Sequence, residues 1–137
     1  VQGRLVQVLE SDLAEKLHEY RYNMVSFPFN PKYQNSNQWL LEVFAAATAT
    51  DVAITSRQQA VDWLKATGYR PSTIELGTIT RLGGRMFKAN IAFDDHPFGR
   101  RMAGHIDTAT VISIVSFIRA RDEGARVITV TVSDWAQ

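Results

Sequence analysis

The chain has 137 residues, the size of one domain, and its 45% hydrophobic content supports a real core and excludes a disordered chain. Its formal net charge of +1 at pH 7 is too balanced to indicate binding to nucleic acid or to an anionic membrane surface. The absence of cysteine excludes disulfides and thiolate metal sites, and no apolar run approaches the ~18 residues of a membrane span.

The first third of the chain is predicted to contain a strand, a helix and a long loop. The apolar residues between positions 4 and 9 predict a short strand. Ser11 is typical of an N-cap, and it opens a helix whose apolar face carries Leu13 and Leu17. Residues 21–34 are rich in asparagine, proline and aromatic residues, which predicts a loop.

A second helix is predicted to begin at Ser36 and to end near Ala47. Asn35 is its expected N-cap, and Gln38 at the third helical position completes a pair similar to a capping box. The helical period of the apolar residues predicts one buried face, formed by Leu40, Val43, Phe44 and Ala47.

A third helix is predicted over residues 57–67. Ser56 with Gln59 marks its start, because this pair again fits a capping box. Gly68 marks its end, where glycine is favoured. Its expected inward side chains are Ala60, Val61 and Leu64.

The segment that follows gives mixed signals. Residues 71–82 are ambiguous, with a short helix after Ser72 as one option. Gly83-Gly84 predicts a turn, and residues 86–93 predict a strand. Residues 98–105 predict a loop.

The last part of the chain is predicted to form a buried helix and a strand. The helix begins after Asp107 or Thr108 and ends near Arg121, and its nearly continuous apolar surface predicts deep burial. Residues 126–132 alternate as a strand does. The expected architecture over residues 1–137 is one α+β domain, with helices packed on a small, mainly antiparallel sheet of three strands.

The segment Tyr33-Gln34-Asn35-Ser36-Asn37-Gln38-Trp39 carries the strongest functional signal. It places Ser36 in the first turn of a helix, where backbone N–H groups are unpaired and the helix dipole is positive. An attacking oxygen or sulfur at this point is helped toward its anionic form. Three interpretations remain open: a disabled thiol site, a working serine nucleophile, or a purely structural first-turn residue.

The chain has three histidines, of which His96 and His105 are candidate bases for such a nucleophile. His18 is expected to be a surface residue of the first helix. His96 ends the predicted strand beside Asp94 and Asp95, and carboxylates favour a charged imidazole. His105 lies near Asp107, which could orient its ring. For both residues a local structural role is the favoured interpretation, with His96-Pro97 forming a turn and His105 lying beside a helix cap.

A metal site and a binding surface are two further interpretations. Asp94, Asp95 and His96 are usable metal ligands, but neighbours on a strand point to opposite faces, so no metal is expected. The aromatic residues of the loop over 21–35 could present a surface to a partner, which would make the chain a non-catalytic interaction module. Packing onto the core is the expected role of most of them, and Tyr33 is the best cleft candidate.

Several segments together carry a resemblance to a known family. They are Arg21-Tyr22-Asn23, Pro28-Phe29, the run from Tyr33 to Trp39, Glu42, Gly83-Gly84-Arg85-Met86-Phe87 and the run from Asn90 to Pro97. They resemble an uncharacterised family of bacterial proteins associated with the circularly permuted NlpC/P60-type branch of papain-like cysteine hydrolases. The resemblance covers most of this chain, but only the C-terminal half of such a protein.

The resemblance implies a hydrolase or acyltransferase that attacks the carbonyl of a peptide or acyl substrate without a cofactor. Cysteine stands in the family pattern where Ser36 stands here, so the chain is expected to be inactive as it is. The N–H groups of Ser36 and Asn37, with Gln34 or Asn35, would hold the oxyanion, and Tyr33 would contact substrate.

The family's catalytic histidine lies upstream of the nucleophile, in the half that this sequence does not contain. The resemblance therefore implies that the protein's own N-terminal half, or a second chain, supplies the base. It also implies export to the periplasm or outside the cell, although no signal peptide is recognised here. A chain that begins at Val1 is expected to be a processed or trimmed product.

Overall fold

A computed structural model describes residues 1–81, 90–129 and 131 of the chain. Within them the fold is α+β, with seven helices packed on one two-stranded antiparallel sheet, as the predicted class requires. The elements are α1 (Gln2–Leu9), α2 (Asp12–Lys16), α3 (Ser36–Thr48), α4 (Arg57–Ala66), β1 (Ser72–Glu75), α5 (Leu76–Arg81), α6 (Phe98–Met102), β2 (His105–Thr108) and α7 (Val111–Arg121). No helix in this part of the chain has both the length and the apolar character needed to cross a bilayer.

The sheet lies in segments that the sequence did not predict as strands. Ser72 in β1 faces Thr108 in β2, and Glu75 faces His105 at the other end of the ladder. The predicted loop over 98–105 contains α6. The ambiguous segment 71–82 divides into β1 and α5. Because β1 and β2 are short and mostly polar, their sequences lack the alternation that marks a half-buried strand.

The predicted N-terminal strand is wrong, since residues 4–9 belong to helix α1. Leu5 and Val8 lie three positions apart and both pack against the core. Val6 and Leu9 remain about half exposed, so α1 buries only part of its apolar surface. A six-residue apolar stretch is too short to separate the helical period from the strand period.

The two other predicted strands are not observed in the described residues. Residues 91–93 and 125–129 have no regular structure. The remainder of those predictions, at 86–89, 130 and 132, and the predicted Gly83-Gly84 turn lie outside the described residues. Val127 and Ile128 are mainly exposed, so the alternation there does not create a buried face.

The core forms where α3, α4 and α7 meet, with α1 packed against α3. The predicted inward face of α4 is confirmed, whereas α3 buries Leu41 and leaves Leu40 45% exposed. The prediction that α7 is deeply buried is wrong, because Val111 and Ile112 are 65% and 77% exposed. The N-cap of α7 is Thr110, because the earlier candidates, Asp107 and Thr108, pair with β1.

Local capping chemistry follows the sequence closely. Side-chain oxygens of Ser11, Asn35 and Ser56 accept hydrogen bonds from backbone N–H groups of α2, α3 and α4. Gly68 follows α4 in the left-handed region, with φ of +83°. These caps fix where the helices begin and end, including the start of α3 at Ser36.

The left-handed conformation of Gly68 gives a testable prediction. Gly68→Ala should lower the free energy of unfolding by about 1–2 kcal/mol, because a Cβ is disfavoured at this φ. Gly3→Ala is the matched control, since Gly3 lies in α1 with open space around it and alanine favours a helix by up to about 1 kcal/mol. Urea unfolding should shift the two midpoints in opposite directions; shifts in the same direction would contradict this assignment.

Candidate functional site

Ser36 is the first residue of α3 and its side chain is exposed. Asn35 fixes this helix tip, because its Oδ1 accepts the Gln38 N–H at 2.8 Å. Its Nδ2 donates to Met24 O and Thr108 Oγ1, both at 3.1 Å. The Ser36 hydroxyl makes no hydrogen bond to any other described residue, so it remains available to a ligand.

Ser36 lines an open cleft of about 420 Å³. The other walls come from segment 18–22, from Gln34 and Asn35 beside the helix tip, and from Trp39 on the first turns of α3. Tyr20 and Tyr22 are 82% and 48% exposed, so aromatic surface is offered to solvent at this cleft. The helix tip therefore faces a space large enough for a small acyl group or peptide segment.

Gln34 joins the two sides of the cleft. Its Oε1 accepts the Glu19 N–H at 2.9 Å, and its Nε2 donates to Leu17 O at 2.8 Å. Its backbone N–H donates to Arg21 O at 3.1 Å, and its backbone oxygen accepts the Asn23 N–H at 3.2 Å. Segment 17–23 is thus bonded to the residue that stands two positions before Ser36.

A buried ion pair between Arg57 and Glu42 holds the Gln34 side chain, which donates a hydrogen bond to Glu42. The Glu42 carboxylate is fully buried and accepts from Arg57 Nε at 2.8 Å and Nη2 at 2.9 Å. Gln34 and Gln38 each donate one further hydrogen bond to it. Burial raises the pKa of Glu42, while the hydrogen bond and charge of Arg57 and the two amides oppose that shift.

Arg57 also fixes the loop that leads to the helix tip. Its Nη1 donates to Pro31 O at 2.7 Å, and its Nη2 donates to Tyr33 O at 3.1 Å. The same guanidinium therefore binds a residue of α3 and two carbonyls of the preceding loop. This arrangement fixes the path of the chain into Ser36.

The predicted oxyanion and substrate residues occupy several different settings. Gln34 and Asn35 are buried, and their amides bind protein groups as described above. Asn37 Nδ2 donates to Ala109 O at 3.2 Å. The hydroxyl of Tyr33 lies 3.4 Å from Asp94 Oδ2, and Tyr33 is not among the described residues that line the cleft. Their predicted catalytic roles stay predictions.

The three histidines are also placed differently. His96 is buried, with Nδ1 2.8 Å from Asp95 Oδ1 and Nε2 3.1 Å from Asp107 O. His105 lies on β2, with Nε2 3.2 Å from Glu75 Oε1. Of the three, His18 is the one found in the described lining of the cleft. Its expected exposure is observed, but its position on the same cleft as Ser36 has no signal in the sequence.

The three possible metal ligands in the turn at 94–96 are bonded to other groups of the protein. Asp94 pairs with Lys32, whereas Asp95 accepts the Phe27 N–H at 2.7 Å and contacts His96. Within the part of the chain that the structure describes, no group of three acidic or histidine side chains is arranged to hold a metal ion. The turn connects the loop to the sheet.

Glu19 contributes a carboxylate to the described lining of the cleft. Hydrogen bonds from the Arg21 side chain lower the pKa of Glu19 to about 2, with smaller contributions from the charges of Arg21 and Arg57. Glu19 is therefore ionised at neutral pH, directly next to His18 in the chain. The His18 ring packs edge-on against Tyr20, with centroids 4.8 Å apart and planes at 87°.

Most aromatics of the loop over 21–35 pack inward. Phe27 and Phe29 form an edge-on pair with centroids 5.6 Å apart, and Phe29 also contacts Tyr69. Phe29 lies against the core cluster. The exposed aromatic surface at the cleft is formed by Tyr22 of this loop and by Tyr20, which precedes it.

Comparison with known protein families gives a match over most of the chain. Residues 1–118 match the family described as "Uncharacterized protein conserved in bacteria (DUF2145)". No curated protein and no solved structure matches the chain. The matched residues include the whole cleft and the complete segment from Tyr33 to Trp39.

Proposed function

The chain belongs to this bacterial family of uncharacterized proteins, and we propose that it is an acyl hydrolase or acyltransferase with residue 36 at the nucleophile position. The closest chemical analogy is the circularly permuted NlpC/P60 branch of papain-like enzymes. The proposal rests on one observation, the unpartnered Ser36 side chain at the tip of α3, facing an open cleft that contains an imidazole.

The helix tip supplies two groups that acyl transfer requires. The backbone N–H groups of Ser36 and Asn37 have no acceptor among the described residues, as expected in the first turn of a helix. They would donate to the oxygen of a substrate carbonyl as it gains negative charge. The positive end of the helix dipole favours an anionic nucleophile at residue 36.

The reaction follows the acyl-enzyme route. With cysteine at residue 36, the thiol proton passes to an imidazole and the thiolate forms a bond to the carbonyl carbon. The tetrahedral adduct then breaks its bond to the amide nitrogen or ester oxygen, and the leaving group takes the proton from the imidazolium. Water releases the acid in a second step by the same route, or another nucleophile takes the acyl group.

Serine makes this chemistry slow. A hydroxyl does not ionise near neutral pH, and a site suited to a thiolate–imidazolium pair gives it little activation. The chain as it stands is therefore expected to bind an acyl substrate with little or no turnover. The same proposal includes a partner beside the cleft, which is an N-terminal half or a second chain. It also includes a peptide or acyl substrate and a periplasmic or secreted location.

Acylation of a restored thiol tests the proposal. The Ser36→Cys variant, treated with p-nitrophenyl acetate, should gain an acetyl group on residue 36 about tenfold faster than a thiol at an ordinary helix tip. Intact mass and peptide mapping give the rate and the position. The parent chain should remain unmodified at Ser36.

Val111→Cys is the matched control for that experiment. Val111 is the first residue of α7, it is 65% exposed, and its N-cap Thr110 binds the helix as Asn35 does in α3. The control therefore reproduces the helix tip without the cleft. Equal acylation rates for the two variants would reject the proposed function.

A non-catalytic interaction module is the second candidate. It is favoured by the exposure of Tyr20 and Tyr22, which place aromatic surface at the cleft. The same experiment separates the two functions, because a binding surface gives the Ser36→Cys thiol no advantage over the Val111→Cys thiol.

A further inference from the structure

We infer that His18 takes the proton from the nucleophile at residue 36, so that this chain carries both the nucleophile position and its base. The inference rests on the proposed function and makes it more specific. It differs from the arrangement in which an upstream half or a second chain supplies the imidazole.

The His18 ring is available to act as a base. His18 is exposed and lines the same cleft as Ser36. Its ring nitrogens have no hydrogen-bond partner among the residues that the structure describes, whereas both ring nitrogens of His96 are bonded. A base must be free to accept a proton from the nucleophile, and His18 meets this requirement.

The Gln34 side chain holds the segment that carries His18. The Gln34 amide binds Leu17 O and Glu19 N–H, the backbone groups immediately before and after His18. Leu17 is fully buried, which anchors the same segment to the core. Because Gln34 precedes Ser36 by two residues, one buried side chain bonds the backbone on both sides of His18 to the chain that leads into Ser36.

Aromatic and charged side chains surround the His18 ring at the cleft. Tyr20 contacts the His18 ring edge-on, and Tyr22 lies on the same cleft. The Glu19 carboxylate, also on the cleft, is paired with Arg21 at 2.9 Å and lies 3.9 Å from Arg57 Nη1. The ring is thus restrained by an aromatic contact at the lining of the cleft.

These observations assign a defined proton transfer. The hydrogen on the residue 36 hydroxyl, or on a thiol placed there, moves to a ring nitrogen of His18. The electron pair of the broken bond remains on the oxygen or sulfur, which becomes the nucleophile. Gln34 acts as a positioning residue, because it holds the backbone on both sides of His18 and does not itself take the transferred proton.

The pH profile of iodoacetamide alkylation tests the inference. The Ser36→Cys variant should alkylate with an inflection well below the pKa of a free thiol, about 8.5. Adding His18→Gln should raise the inflection by about one pH unit or more, which slows alkylation about tenfold at pH 6. Adding His105→Gln should leave the profile unchanged, because His105 lies on β2 outside the described cleft lining.

The outcomes separate this inference from the proposed function. A low inflection that His18→Gln does not move would overturn the role of His18 and leave the proposed function standing. An inflection near that of a free thiol in Ser36→Cys alone would reject both. Since His18 is exposed, thermal unfolding of His18→Gln should match the parent and exclude misfolding as the cause.

Discussion

Arg57→Met is expected to lower the free energy of unfolding by about 3–5 kcal/mol, because it leaves the Glu42 carboxylate buried without its cation. It also removes the donors to Pro31 O and Tyr33 O, which hold the loop before Ser36. Urea unfolding at pH 7 measures the loss. For a chain of this size the remaining stability would be small.

Two further variants serve as controls for this prediction. Arg57→Met with Glu42→Gln should recover part of the loss, because no buried charge then remains. Arg21→Met should cost far less stability than Arg57→Met, since the Arg21 side chain in its pair with Glu19 is 61% exposed and solvent screens the pair. An Arg57→Met loss as small as that of Arg21→Met would contradict the role given to the buried pair.

The pH dependence of Arg57→Met follows from the same carboxyl. Burial raises the pKa of Glu42 above its ordinary value of 4.5, and removing Arg57 removes the largest opposing contribution. The folded state then holds a proton that the unfolded state has lost, so stability falls as pH rises through the folded-state pKa. The deficit of the variant should therefore shrink as pH falls toward 4.5.

Sequence reasoning succeeded where structure is decided by neighbouring residues. The caps at Ser11, Asn35 and Ser56 and the end of α4 at Gly68 depend on bonds across two to four positions. The start of α3, and with it the exposed position of Ser36, follows from the same local chemistry. These features could be predicted without knowledge of the remaining fold.

The errors arose where distant segments meet. β1 and β2 are separated by about 30 residues and have few apolar side chains, so their pairing leaves no pattern in either segment. Helix α1 was predicted as a strand because its short apolar run fits both periods. The extent of burial of α7 depends on which neighbours cover it, which no hydrophobic period reveals.

The cleft was only half predictable for the same reason. The position of Ser36 could be predicted from the capping pattern of its own helix. The segment that carries His18 is held at the cleft by the Gln34 side chain, which bonds the backbone of Leu17 and Glu19. His96 looked like a base beside its carboxylates, yet both of its ring nitrogens are bonded inside the protein. Such partners depend on tertiary contacts, which the sequence near His96 does not specify.

The second large effect is expected in the acidity of a thiol at residue 36. A helix tip alone contributes about 0.3–1 kcal/mol, which lowers a thiol pKa by less than about one unit. A nearby imidazole that accepts the proton lowers it further, toward the range of about 3.5–7.5 seen for activated cysteines. Ser36→Cys should therefore have a pKa near 6.5 or below, about 1.5 units under that of Val111→Cys.

Titration of the thiolate by its ultraviolet absorbance, in Ser36→Cys and Val111→Cys side by side, measures this difference directly. Both residues begin a helix behind a bonded N-cap, so the helix dipole contributes to both and the cleft to one. Our account predicts a clearly more acidic thiol at residue 36. Titration midpoints that agree within about half a pH unit would show that the cleft does not lower the thiol pKa beyond the effect of the helix tip. That result would contradict an active site at Ser36.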